Sequence, residues 1–209
     1  MQKNMKMGLA ALALLGFLGG CAEVAAVAPS FVGRFLTVSL DPVVAFPDDV
    51  SLEGFDGSTA GDLGSLLGGV FRAATGQSLK QKAASLIAGK VEPCSVILTG
   101  AFKDEIKRRN LYAGVVDSGG NVQMRLSVAR YGLMAADGLK SLKPLLDVKC
   151  EILLPHIGVV WAKTYTVDEK STQTLALSAT QVLSGAASFQ TVFQSASTLA
   201  AQGLLAELK

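Results

Sequence analysis

From Arg34 the chain alternates, with Leu36, Val38 and Leu40 on one side and Phe35, Thr37 and Ser39 on the other. A period of two predicts a strand, which Pro42 and Pro47 end or confine to an edge. Residues 48–62 carry Asp48, Asp49, Glu53, Asp56 and Asp62 among glycines and read as a loop, without the ligand spacing of an EF-hand. The period then changes. Leu63, Leu66, Leu67, Val70, Phe71 and Ala74 recur at three- and four-residue steps, and Leu79, Ala83, Leu86 and Ile87 continue them after Gly76. This predicts helix, with Asp62 as N-cap and Gly89 as stop. Gly68, Gly69 and Gly76 lie inside the apolar pattern, which suits close packing on a sheet or a break into two helices. No phosphate-binding Gly-x-x-x-x-Gly-Lys-Ser/Thr loop occurs.

The next block reads as strands. Residues 94–102 (CSVILTGAF) are rich in β-formers, and Leu111–Val116 and Val122–Arg130 flank Asp117–Asn121, a turn-forming stretch that predicts a hairpin. Along the second arm Val122, Met124, Leu126 and Val128 face one way, and Gln123, Arg125 and Ser127 the other. A polar loop is expected around Asp137–Lys143, then strands at Leu145–Leu154 and Val159–Val167, joined at Pro155-His156-Ile157-Gly158, with polar residues from Asp168 to Thr174. A last helix, from about Ser188 to Leu208, shows a stripe of Phe189, Val192, Phe193, Ala196, Leu199, Ala200 and Leu204. The expected fold is a single α+β domain over residues 32–209. It has an antiparallel sheet of about five or six strands, with a long helix and a C-terminal helix packed on one face.

Composition agrees with one folded domain: 209 residues, 17% charged, mean hydropathy +0.41. The formal charge of +2 includes Lys3 and Lys6; without residues 1–20 the side chains balance to zero. No surplus of Lys and Arg remains for a nucleic acid, so none is expected as a partner.

The N-terminus carries the clearest signal. Lys3 and Lys6 precede an uncharged run from Gly8 to Gly20, too short to span a bilayer as a helix, which is the arrangement of a secretory signal. It ends in Leu18-Gly19-Gly20-Cys21, which resembles the lipobox of bacterial lipoproteins. The resemblance implies a thioether-linked lipid on Cys21, cleavage before it, acylation of the new amino group and residues 21–31 as a lipidated tether. Ala22, where an Asp would favour inner-membrane retention, favours the outer membrane, with the domain facing the periplasm.

Cys94 and Cys150 then lie in an oxidising compartment, where one disulfide closing a 57-residue loop is expected, worth about 4 kcal/mol in a chain-entropy model. The alternative is two separately buried thiols. His156 has no Cys or His at ligand spacing, so neither a metal nor a cofactor is expected. With one histidine and no Gly-x-Ser-x-Gly elbow, nothing suggests a hydrolase triad. Asp104 and Glu105, set among Lys103, Lys107, Arg108 and Arg109, read as a charged connection between strands. The cluster Lys107-Arg108-Arg109 is a candidate contact for a partner or for anionic lipid, or else a strand edge charged against aggregation. Trp161 and Tyr165 share one strand face, as core or cross-strand residues commonly do.

The order of elements also resembles small periplasmic lipoprotein domains that accompany envelope machinery. Both have a strand, a long helix, an antiparallel meander whose late strand carries Val160-Trp161-Ala162-Lys163, and a terminal helix. This implies a non-enzymatic accessory or assembly subunit that docks a protein partner. The alternative is a carrier holding a lipid or other apolar ligand between sheet and helix.

Overall fold

The computed structural model describes residue 33 and residues 36–55, 79–88, 90–136, 141–168, 177–178, 181 and 189–208. The lipobox and the helix expected from residue 63 to 76, with its cap at Asp62, lie outside the described residues, as does Gly89. The described elements are β1 (Thr37–Leu40), β2 (Ser51–Glu53), α1 (Leu79–Ile87), α2 (Val91–Arg109), β3 (Gly114–Val116), β4 (Val122–Ala136), β5 (Ser141–Leu154), β6 (Gly158–Val167), β7 (Leu177–Ser178) and α3 (Phe189–Leu205).

The fold is α+β. Its sheet is mixed and mostly antiparallel, in the order β3-β1-β4-β5-β6, with β2 beside β4 and β7 beside β5. β4, β5 and β6 form the antiparallel part, while β1 pairs in parallel with both β3 and β4, and β2 in parallel with β4. A register shift between Val128 and Arg130 changes which positions of β4 face inward. Before it Val122, Met124, Leu126 and Val128 are buried; after it the buried residues include Tyr131 and Leu133.

Three sequence expectations are corrected. Residues 94–102 are helical, as part of α2. The buried residues Cys94, Leu98, Phe102 and Ile106 recur at four-residue steps and form one helical face. Asn110, left-handed at φ 52°, ends the helix, and its backbone N–H donates to carbonyls of the last turn. The predicted hairpin is the second correction: β3 and β4 do not pair but run in parallel on either side of β1, and Asp117–Asn121 crosses between them. The third is at either margin of the long strands. Ser51–Glu53 of the expected acidic loop is a strand, and Lys143 lies within β5.

Helices α2 and α3 pack against each other, and α3 also lies on β5 and β6. The layer between helices and sheet is filled by Leu98, Phe102, Met124, Leu126, Leu146 and Phe193, all at most 1% exposed. Trp161 is buried, and the ring of Tyr165 occupies the space where a side chain at Gly203 of α3 would be. The opposite sheet face is charged. Arg125 lies 3.8 Å from Asp41 and 3.7 Å from Glu151, which Lys149 also meets at 2.7 Å. Arg130 bridges Asp147 at 2.9 Å and Glu53 at 2.5 Å. These cross-strand pairs let one sheet face meet water while the other meets the helices.

Candidate functional site

The starts of β1, β3, β4 and β6 and the end of β5 meet at one end of the sheet, as the registers Thr37↔Gly114, Val38↔Val122, Gln123↔Leu153 and Leu154↔Gly158 require. The Asp117–Asn121 crossing and the Pro155–Gly158 turn close this end over a cleft of about 440 Å³, lined by residues that include Ser39, Asp117, Ser118, Gln123 and His156.

The crossing depends on a close backbone approach. Gly120 passes over β1, and a Cβ there would lie 2.6 Å from Ser39 N and 2.9 Å from the Val38 carbonyl carbon. Only glycine fits without moving the strand. Asn121 then pins the start of β1: its Oδ1 accepts from the Thr37 backbone N–H and hydroxyl, both at 3.0 Å, and its own N–H donates to Thr37 Oγ1 at 3.3 Å. In the turn, Ile157 N–H donates to the Leu154 carbonyl at 3.2 Å, with His156 at φ 66° and Gly158 at φ 95°. The tip is exposed and apolar: Ile157 is 71% and Val159 42% exposed.

The cleft gathers Ser39, the adjacent Asp117 and Ser118, and His156 from three separate stretches of the chain. His156 is exposed, and among the described residues no carboxylate bonds to its ring to orient it as a base. Among the described residues no group of three or more His, Cys, Asp and Glu could hold a metal ion.

The basic cluster sits in the last turn of α2, where cations complement the helix dipole. Buried Glu105 holds two of its members. It accepts from Arg108 Nε at 2.7 Å and Nη2 at 2.6 Å, and from Arg109 Nε at 2.5 Å. Hydrogen bonding from Arg108, and then from Arg109, holds the Glu105 carboxyl below its usual range against the opposing effect of burial. Arg109 also donates to the Gln202 carbonyl at 3.3 Å and the Leu205 carbonyl at 3.5 Å, satisfying the C-terminal end of α3. Arg109 is thus engaged inside the domain, Arg108 pairs with Glu105 while staying mostly exposed, and Lys107 is exposed. Sequence reading missed this clamp, although Glu105 stands three and four residues before its arginines, the spacing of helical neighbours.

The expected Cys94–Cys150 bond is absent: both are free, buried thiols, Cys94 on α2 and Cys150 in the middle of β5. The pairing expectation assumed two strands, and the helical placement of Cys94 removes that premise. Burial pushes the Cys94 thiol up to about 11, partly offset by Lys90, and pushes Cys150 up still further, so both behave as small apolar groups.

No family model matches the chain, and no curated protein matches it. Among solved structures it is similar to a protein of the DUF330 family from Xanthomonas campestris, at 17% identity and TM-score 0.37, over 53% of this chain and 58% of the other. It therefore spans little more than half of that structure. It is also similar to PelC from Paraburkholderia phytofirmans, solved as a dodecamer, at 12% identity and TM-score 0.39, over 85% of this chain and 88% of the other.

Proposed function

We propose that the chain is an envelope lipoprotein, held to the outer membrane through Cys21 with its domain in the periplasm, where it serves as a non-enzymatic accessory or assembly subunit docking a partner protein. The observation that carries this reading is Leu18-Gly19-Gly20-Cys21 behind a basic, then apolar, leader. Two or three acyl chains, at about 0.8 kcal/mol per buried CH₂, hold a protein to a bilayer almost permanently.

Cys21→Ser removes the thiol that forms the thioether. The variant is expected to lose metabolic palmitate labelling and to keep its unprocessed mass, and equal labelling of wild type and variant sinks the lipid anchor. Cross-linking in intact cells, read by mass spectrometry, is expected to give one reproducible envelope protein with the wild type. Recovery of the chain only as itself rejects the docking role.

A further inference from the structure

Three features converge on one end of the domain. The first is where the chain comes in: β1 starts there, preceded by a turn in which Leu36 N–H donates to the Gly33 carbonyl. Eleven residues lie between Cys21 and Gly33. Whatever its path, a chain of twelve Cα–Cα steps reaches at most about 43 Å. The fourteen residues of β5, which run from the far end of the sheet to this one, extend about 45 Å. A lipid on Cys21 therefore holds this end within about 43 Å of the bilayer, and the domain cannot stand upright on its far end.

The second feature is the Pro155–Gly158 turn. Ile157 projects from it, 71% exposed, beside exposed Pro155 and His156, with Val159 42% exposed at the start of β6. The left-handed backbone at His156 and Gly158 makes the turn tight. The third is charge. The last turn of α2 connects through Asn110–Ala113 to β3, whose first residue pairs with Thr37, so exposed Lys107 and Arg108 belong to this end as well. Glu105 offsets one of the two arginines beside Lys107, leaving this turn cationic. Of the exposed acids nearby, Asp117 faces Lys103 at 3.6 Å and Asp104 stands one helical turn before Lys107 and Arg108, so the four cations from Lys103 to Arg109 still outnumber the three acids Asp104, Glu105 and Asp117.

We propose that this end rests on the bilayer that holds the anchor, with Ile157 entering the boundary between headgroups and acyl chains, and Lys107 and Arg108 facing anionic headgroups. A small apolar tip and a cationic helix end at the same end of the domain suit that boundary, where buried apolar area and attraction to anionic lipid act together. The inference rests on the lipid-anchor reading. It adds that the domain is oriented by direct contact and does not merely hang from its tether.

The test uses the full lipidated chain in vesicles of phosphatidylethanolamine and phosphatidylglycerol whose acyl chains are brominated. Ile157→Trp and Val96→Trp place reporters at two sites of nearly equal exposure, 71% and 69%. Val96 lies in the first turns of α2, about 20 Å along the helix from Arg109. Emission of the native Trp161, read from the wild type, is subtracted. The expected result is quenching severalfold stronger for Ile157→Trp than for Val96→Trp. If the wild type floats with the vesicles but the two reporters are quenched alike, or neither is, the contact is refuted and the anchor stands. If the wild type does not float, the anchor reading fails and takes the contact with it.

Discussion

Glu105→Gln tests how the helical layer is held together. The substitution keeps the shape of a 5% exposed side chain and removes the charge that three arginine N–H groups share. Each hydrogen bond to a charged group is worth about 1.5–3 kcal/mol. The amide keeps one acceptor oxygen, and the mostly exposed Arg108 head regains water, so the losses do not add. Arg109 fares worse. It stays half-buried without a counter-charge while still attached to the end of α3, and the expected net loss is about 2 kcal/mol. For a domain of this size that corresponds to a fall in Tm of about 4–8 °C.

The pH dependence separates charge from shape. The Glu105 carboxyl is held below its ordinary 4.5 in the folded protein. Its stabilising contribution is therefore complete above that unfolded value and is lost as pH falls through the lower folded value. Thermal unfolding of wild type and variant should differ most near neutrality and converge in acid, where a protonated Glu105 resembles glutamine. Arg109→Gln should lower Tm more than Arg108→Gln, because only Arg109 reaches the Gln202 and Leu205 carbonyls. Coincident unfolding curves at neutral pH, or a gap that persists undiminished into acid, would refute the clamp.

Gly120→Ala should cost about 1–3 kcal/mol in urea denaturation, since its Cβ meets β1 backbone at 2.6 Å, whereas Gly119→Ala, in open space at φ 70°, should cost about 1–2 kcal/mol from left-handed strain alone. A neutral Gly120→Ala would mean the crossing does not press on β1. Asn121→Ala removes the acceptor for two Thr37 donors at this exposed site and should cost about 1 kcal/mol, with faster amide exchange at Thr37 as the local readout. In thiol titration of the Cys21→Ser variant, two groups should react after denaturation and neither readily before it, given the buried, raised thiols of Cys94 and Cys150. An absent denatured thiol signal would restore the disulfide.

Periodicity located the elements wherever burial alternates cleanly. β4, β5, β6 and α3 follow from positions such as Val122, Met124, Leu126 and Val128, or Val192, Phe193, Ala196 and Ala200, because each packs one face against a single layer. It failed at α2 for a local reason. Ser95, Val96, Ile97, Leu98 and Thr99 include three β-branched residues and mimic a buried strand, and the four-residue recurrence of Cys94, Leu98, Phe102 and Ile106 emerges only over a window longer than that run. Val96, 69% exposed, is the residue a strand would have buried. The turn chemistry of Asp117–Asn121 was sound, as φ 70° at Gly119 shows, but a turn does not say which strands it joins. That β1 lies between β3 and β4 depends on pairing across more than 70 residues, which local pattern does not carry.

The same misreading hid the clamp. With residues 94–102 taken as a strand, Glu105, Arg108 and Arg109 fell in a connection, where three- and four-residue separations have no geometric meaning. On a helix those separations put the carboxylate beneath both guanidinium groups. The cluster that looked like a docking patch thus divides by burial. Arg109 turns inward to end α3, Arg108 is shared between Glu105 and water, and Lys107 alone carries its charge fully outward. A surface role for the cluster therefore belongs first to Lys107, whose replacement should change contacts outside the domain and leave Tm nearly unmoved. Replacing Arg109 should do the reverse. Arg109→Gln and Lys107→Gln, compared for thermal stability and for brominated-lipid quenching in the Ile157→Trp background, separate the two roles: loss of stability with both, or with neither, would show that burial does not divide the cluster.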